Sequence, residues 1–412
     1  MYLLSQLNNQ LQNIKKYKYI ILGAGPSGLS FANKLLQAGE KSFLVLEKED
    51  EAGGLCRSVT VDNAPLDIGG GHFLDIKRTE VLDFIFSFLP QKEWNLHKRK
   101  SNIIINGTKI DYPFEANIWQ LPIKDQINYL LSISKTESGS RQIPKKFIDW
   151  IYWKLGDRIA TDYMIPYNSK LWSMNLNKLG TYWLYKLPNV SLRETIISCL
   201  TKKPAGQIPA HAEFFYPKKY GYGEVWKRMA KALGEHIIYD YEVSSINVIS
   251  RIINKEYQAD IIINTIPWKE FRETNIPDTV TRLIKKLVQS SIRVSYYKED
   301  FKSNTHWTYL PDINLPHHRV LNRKNFCPNS HGYWTEMNEK RSAIKYKKSD
   351  WGHLNKYAYP VNTLNKPAEI KRILTFFKKK KIYGLGRWGE WEHINSDVSV
   401  ERAIQLYNQI YK

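Results

Sequence analysis

"YKYIILGAGPSGLSFANKLLQAGEKSFLVLEKEDEAGG", residues 17–54, holds the reading that decides the fold. Residues 17–22 are apolar and β-prone, residues 27–37 carry helical apolar spacing, and residues 42–47 read as a second strand. The order is therefore strand, glycine turn, helix, strand. Gly23, Gly25 and Gly28 stand in GxGxxG spacing, and the acidic Glu47 follows Gly28 by 19 residues. All four elements together turn a weak glycine pattern into a dinucleotide-binding fingerprint. Gly23 permits the tight turn, Gly25 lets a pyrophosphate approach the backbone, and Gly28 lets helix and strand pack closely. The helix N-terminus then faces the phosphates, and Glu47 can accept from ribose hydroxyls.

Further along, "GGLCRS" (53–58) and "LDIGGGHFLD" (66–75) supply more glycines than turns alone need. Arg57 suits a phosphate, and residues 69–71 let backbone press on a flat ring. A last glycine-rich segment, "GRWGEWEH" (386–393), lies more than 350 residues past the first glycine turn. It reads either as a local hairpin with a bulge and cross-strand aromatics, or as the chain returning to close the site that its first segments open.

The 412 residues are too many for the commonest single core and imply two or three domains. No run approaches a membrane span, and "MYLLSQLNNQLQNIKK" has too many Gln and Asn for a signal peptide, so a cytoplasmic protein without an integral membrane segment is expected. Cys56, Cys199 and Cys327 lack metal-ligand spacing, which fits a reducing compartment and no structural metal. The formal charge of +21 attracts anions of many kinds. Its basic residues are dispersed, with "FFKKKKIYG" the one block, and no nucleic-acid module is recognisable, so nucleic acid is not expected as a partner. Loose membrane-surface association and a homo-oligomer stay open.

Residues 123–200 turn helical, strands return at "EFFYP" and "DIIINTIP", and a β-rich stretch follows through "THWTYLPDINLPHHRVLNRKNF". The expected architecture is α/β: a discontinuous Rossmann-like dinucleotide-binding domain (17–90, 215–265 and 355–412), the FAD-binding domain of the resemblance given next, after a polar extension (1–16). A helical domain (120–205) is inserted, and an antiparallel β-sheet substrate domain comprises 91–119 and 266–354.

GxGxxG with Glu47, GG with Arg57, "DIGGGHF" and the late "GLGRWGEW" resemble the FAD-binding framework shared by amine oxidases, protoporphyrinogen oxidases and UDP-galactopyranose mutases. Within that superfamily, "DYPFEANIWQLP", "IPYNSKLWSMNLNKLG", "THWTYLPDINLPHHR" and "YAYPVNT" resemble, in order and spacing, segments of the mutases, the eukaryotic type most of all. The likeness runs from about residue 17 to the C-terminus. It implies FAD held by Gly23, Gly25, Gly28, Glu47, Gly54, Arg57, Gly70, Gly386 and Arg387, with the C-terminal glycine-arginine segment folded back on the flavin. It also implies a redox-neutral isomerisation. Reduced flavin attacks the anomeric carbon of a UDP-hexose through N5, UDP departs, and the sugar recloses through a different hydroxyl to exchange pyranose for furanose, supplying cell-surface glycan synthesis. No dedicated nicotinamide motif is visible, so the reductant is NADPH at the flavin face or a separate reductase.

Carried over by position, Arg319 matches the diphosphate arginine and Tyr309 and Tyr359 its tyrosine neighbours. Tyr112, Tyr167, Asn168 and Trp172 match positions around the nucleotide-sugar site, and His72 a histidine beside the flavin. Three positions depart from the family. Lys186 stands where a second diphosphate arginine is expected and keeps the charge without the bidentate fork. His211 stands for an asparagine and His393 for a tyrosine. Either substrate choice has moved to another nucleotide sugar, or the changes are compensated in an ordinary mutase. Two other classes compete: a flavin oxidoreductase of the amine or protoporphyrinogen oxidase type, since fold alone does not decide function, and a non-catalytic flavoprotein or basic nucleic-acid binder.

Overall fold

The computed structural model describes residues 14–137, 142–184, 187, 189–206 and 212–411. Lys186 and His211 lie outside them. The first strand, Lys15–Leu22, begins two residues before the expected strand start at residue 17. It pairs in parallel with Phe43–Leu46 on one side and Tyr257–Asn264 on the other; Ile237–Ile238 extends one edge, and Ile382–Gly384 also pairs in parallel with Tyr257–Asn264. A strand flanked on both sides and covered on both faces has no polar face, which explains the unbroken run Tyr19, Ile20, Ile21, Leu22, each at most 1% exposed. Antiparallel Ile252–Ile253 and Ser245–Asn247, then Arg272–Thr274, extend the sheet beyond residue 265.

Helix Pro26–Gln37 starts with proline in its first turn and covers one face of this sheet. The last helix, Ser396–Ile410, lies against it, with the Phe31 and Tyr407 rings 6.3 Å apart. The two ends of the chain thus share one core.

A second sheet has the order Trp351–Pro360, Gln289–Tyr297, Tyr333–Asn338, Arg319–Asn322, Trp307–Tyr309, Ser101–Ile105, Thr108–Asp111. It is antiparallel except where Trp307–Tyr309 runs parallel to Ser101–Ile105. The division expected at residue 355 falls inside the Trp351–Pro360 strand, because that strand pairs along Gln289–Tyr297 across the boundary. Helices Ile123–Glu137, Phe147–Ile159, Ile165–Trp172 and Leu192–Thr201 form the inserted helical layer, with a π-helical turn at Ala160–Met164. Glu213–Pro217 joins neither large sheet and pairs instead with Trp94–Lys98 and Leu74–Asp75.

Candidate functional site

A cavity of about 310 Å³ opens beyond the carboxyl ends of the parallel strands, where ligands of open α/β sheets bind. Gly25, Ser27, Glu47, Arg57, His72 and Arg387 all line it. Gly23 turns the chain with φ +94°, and a Cβ on Gly28 would run into the Gly23 carbonyl, so that glycine sets how closely helix and turn pack. Gly25 caps Pro26–Gln37 without a side-chain hydrogen bond and has open space where a Cβ would point. The helix therefore presents free first-turn N–H groups to the cavity, the arrangement that receives a phosphate.

Glu47 sits just past Phe43–Leu46, its Oε2 accepting from Ala24 N at 2.6 Å and its Oε1 from Glu49 N at 3.1 Å. Burial raises its pKa. The carboxylate fixes the glycine turn and still faces the cavity. Gly54 packs on the Gly25 Cα, and Arg57 donates to the Gly54 carbonyl at 3.2 Å and to Glu49 at 3.3 Å. These residues fit a dinucleotide: a glycine-lined backbone cradle, an uncapped helix end, a ribose-side carboxylate and a cation.

The late segment is not a hairpin. Gly386–Gly389 is a single helical turn, and a Cβ on Gly386 would collide with the Ser27 hydroxyl. The chain returns to the N-terminus of helix Pro26–Gln37. Arg387 then donates to Ile394 O at 3.1 Å and 2.7 Å and to Ala358 O at 3.1 Å, which ties the returning segment to the second sheet.

At the inner end of the cavity His72 is neutral, since burial and then the nearby Arg387 charge lower its pKa to about 3. Its Nδ1 is buried with no hydrogen-bond partner among the described residues. The glycine loop before it is held by the second sheet: Asn355 Nδ2 donates to Ile68 O at 2.7 Å, Gly71 N donates to Glu336 Oε1 at 3.3 Å, and Gly70, with φ +93°, packs on the same carboxylate.

One layer further in lies the second cluster. Tyr309 and Arg319 are cross-strand partners, and so are Arg319 and Glu336. The Arg319 Nη2 donates to Glu336 Oε2 and, at 3.4 Å, to the Tyr359 hydroxyl. Burial opposes both charges, but each holds the other ionised: the Arg319 pKa lies well above its ordinary value, and Glu336 is held down to about 2. The Arg319 Nε, buried, has no partner among the described residues. The Tyr167 ring stands 5.5 Å from that of Tyr309, Tyr112 5.3 Å from Tyr309, and His393 4.7 Å from Tyr359. Trp172 stands 6.3 Å from Tyr359 and donates to Asn168 Oδ1 at 3.2 Å, while Asn168 Nδ2 donates to Met164 O at 2.8 Å. Asn168 thus has an internal role in its helix. Arg387, 5.8 Å from the Tyr359 ring, links this cluster to the cavity.

Two members were not legible in the sequence. Glu336, in "GYWTEMN", gives no sign that it will face Arg319. Arg99 reads as one more charge in "HKRKS", yet its Nη2 donates to the Tyr309 hydroxyl at 2.7 Å and its guanidinium lies 5.1 Å from the Tyr112 ring.

A family model described as an NAD(P)-binding Rossmann-like domain matches residues 21–87. The solved structure of a reduced UDP-galactopyranose mutase superposes with a TM-score of 0.86, at 23% identity, over 96% of this chain and 93% of that one. The chain has the UDP-galactopyranose mutase fold. The UDP-galactopyranose mutase of Mycoplasma pneumoniae is 22% identical across 97% of both chains. That of Mycoplasma genitalium is 26% identical over 177 residues, 39% of this chain and 41% of that protein. The mutase resemblance read from the sequence and the expected α/β class with a Rossmann-like domain are both borne out. In this mutase fold the dinucleotide cavity and the Arg319 cluster meet at His72 and Arg387. No helix among the described residues is long and apolar enough to cross a membrane.

Proposed function

We propose that the chain is an FAD-dependent nucleotide-sugar mutase interconverting the pyranose and furanose forms of a UDP-hexose such as UDP-galactose. The observation that carries this reading is the partnerless Arg319 Nε, buried beside the Tyr359 hydroxyl one layer beyond the cofactor cavity. A buried guanidinium with a donor to spare suits a diphosphate, which accepts it in a charge-assisted bond. An amine substrate offers no anion for it, which weighs against the amine oxidase form of the oxidoreductase alternative.

In this reading Gly23, Gly25, Gly28, Gly54 and Arg57 hold the FAD pyrophosphate and Glu47 its ribose, while Gly70, Gly386 and Arg387 bound the flavin side. Reduced FAD, supplied with electrons by NADPH or another reductant, provides the nucleophile for the anomeric carbon. Arg319, Tyr309 and Tyr359 hold the departing diphosphate, and a fixed cation gains most as negative charge develops on the leaving oxygen. Glu336 fixes the guanidinium in place and offsets its charge, leaving directed donors in place of a bare cation. His72, neutral, offers Nδ1 as a fixed hydrogen-bonding group for a sugar hydroxyl or the ring face beside it, without changing protonation. Tyr112, Tyr167 and Trp172 wall the site and exclude water, which strengthens these interactions. Lys186, His211 and His393 are the positions where sugar or nucleotide choice would shift.

Competition binding to the oxidised holoprotein tests this reading, with UDP-galactose measured against dTDP- and GDP-sugars. Tight UDP-galactose binding supports a UDP-hexose mutase, preference for another nucleotide sugar moves the substrate, and absence of any diphosphate binding ends the proposal.

A further inference from the structure

Residues 310–318 join Tyr309 to Arg319, and carbonyl groups of residues 310–316 converge on two cations. From helix Ile165–Trp172, Lys170 Nζ donates to Leu310 O at 2.7 Å and to Asp312 O at 2.6 Å. From the turn Glu339–Arg341, Arg341 donates to Pro316 O at 3.3 Å, Ile313 O at 2.5 Å and Leu315 O at 3.3 Å. The connection is gripped from the helical layer on one side and from the sheet on the other.

Lys170 is 0% exposed, and lysine is seldom buried so deeply without an anionic partner. Here its hydrogen bonds go to two main-chain carbonyls, with the Asp312 carboxylate near enough to favour its charge only through space. An apolar side chain would fill the space at lower cost. The gain lies in direction: the helix that carries Lys170 also carries Tyr167, Asn168 and Trp172, whereas the carbonyls belong to the connection between Tyr309 and Arg319. No other Ile165–Trp172 side chain makes a hydrogen bond to this connection among the described residues.

We propose that Lys170 is a positioning residue, a tie that registers the helical half of the diphosphate site against the sheet half. The inference rests on the nucleotide-sugar reading of that site. Asp312 favours the Lys170 charge, while Arg341 on the sheet side and His317 and His318 at the end of the connection stand near it. Burial first, then Arg341, lower the Lys170 pKa to about 7. The tie therefore weakens as pH rises through neutrality.

The test is calorimetric titration of oxidised holoprotein with UDP-galactose, whose diphosphate diester keeps its charge throughout, from about pH 6 to about pH 8.5. Wild type is expected to lose affinity by roughly three-fold or more over that range, while Lys170→Met binds roughly ten-fold more weakly at the acid end, with unchanged flavin content, and shows no pH dependence. Lys170→Met binding as tightly as wild type, or a flat wild-type profile, overturns the tie while leaving the site reading intact. Wild type that fails to bind at all overturns the site reading and the tie with it. Should Lys170→Met not fold, the wild-type profile still decides, read beside amide exchange of Leu310 and Leu315, whose N–H groups bond within this hairpin and connection and should exchange faster at the alkaline end. Exchange and affinity both indifferent to pH would overturn the proposal.

Discussion

Arg319 stands directly opposite Glu336 in the antiparallel ladder, and its guanidinium bridges that buried carboxylate and the Tyr359 hydroxyl. Register makes this contact obligatory, because opposed residues on one face of a sheet have neighbouring Cβ atoms. Glu336 in turn accepts from Gly71 N, so the Arg319 cluster and the glycine loop before His72 share one carboxylate.

Removing one partner should therefore cost stability as well as binding. Arg319→Met leaves Glu336 buried with only Gly71 N and the His318 ring beside it, and should lower unfolding free energy by up to about 3–5 kcal/mol. Adding Glu336→Gln should restore part of that loss but none of the UDP affinity. Urea denaturation of the two single variants and the double variant checks the first expectation, and UDP titration the second.

Acid should lower the stability of the fold through two overlapping contributions. His72 has its pKa lowered to about 3 from 6.5, so the folded state binds fewer protons than the unfolded one below 6.5, and this stabilising contribution is lost as pH falls from there. Glu336, lowered from 4.5 to about 2, contributes fully above 4.5 and is lost as pH falls toward 2. Denaturation midpoints across this range should lose their upper component in His72→Gln and their lower one in Glu336→Gln.

Closure of the chain on itself should be sensitive to a single methyl group. Gly386→Ala places a Cβ on the Ser27 hydroxyl at a backbone with φ +75°, and overpacking of this kind costs about 1–3 kcal/mol. The purified variant should carry less flavin than wild type, measured by its visible absorbance, with the loss partly reversed by added FAD.

Catalytic pH dependence should not report His72. A neutral imidazole that does not titrate between about pH 5 and about pH 8 leaves no inflection in kcat, so His72→Gln should lower the rate without reshaping the profile. A profile whose acid limb vanishes in that variant would give His72 a proton-transfer role instead.

The cavity's glycine turn was legible because it is local: Gly23, Gly25, Gly28 and Glu47 lie within one strand–turn–helix–strand unit whose geometry follows from spacing. The Arg319 cluster depends on register between distant strands. Nothing within "GYWTEMN" announces that Glu336 will meet Arg319, and nothing in "HKRKS" announces that Arg99 will reach Tyr309. The late glycine segment was legible as a choice between a hairpin and a return, and its helical turn on Ser27 settles that choice. Asn168, placed by resemblance at the substrate, has both amide groups engaged inside its own helix, a detail that residue type alone does not carry.

The most direct measurement is anaerobic. The flavoprotein is reduced with dithionite, given UDP-galactofuranose, and the products are resolved by ion-exchange chromatography beside an oxidised control. Conversion to UDP-galactopyranose by the reduced protein alone is the predicted result. Lack of conversion by a reduced, FAD-loaded protein that binds the substrate would contradict the account.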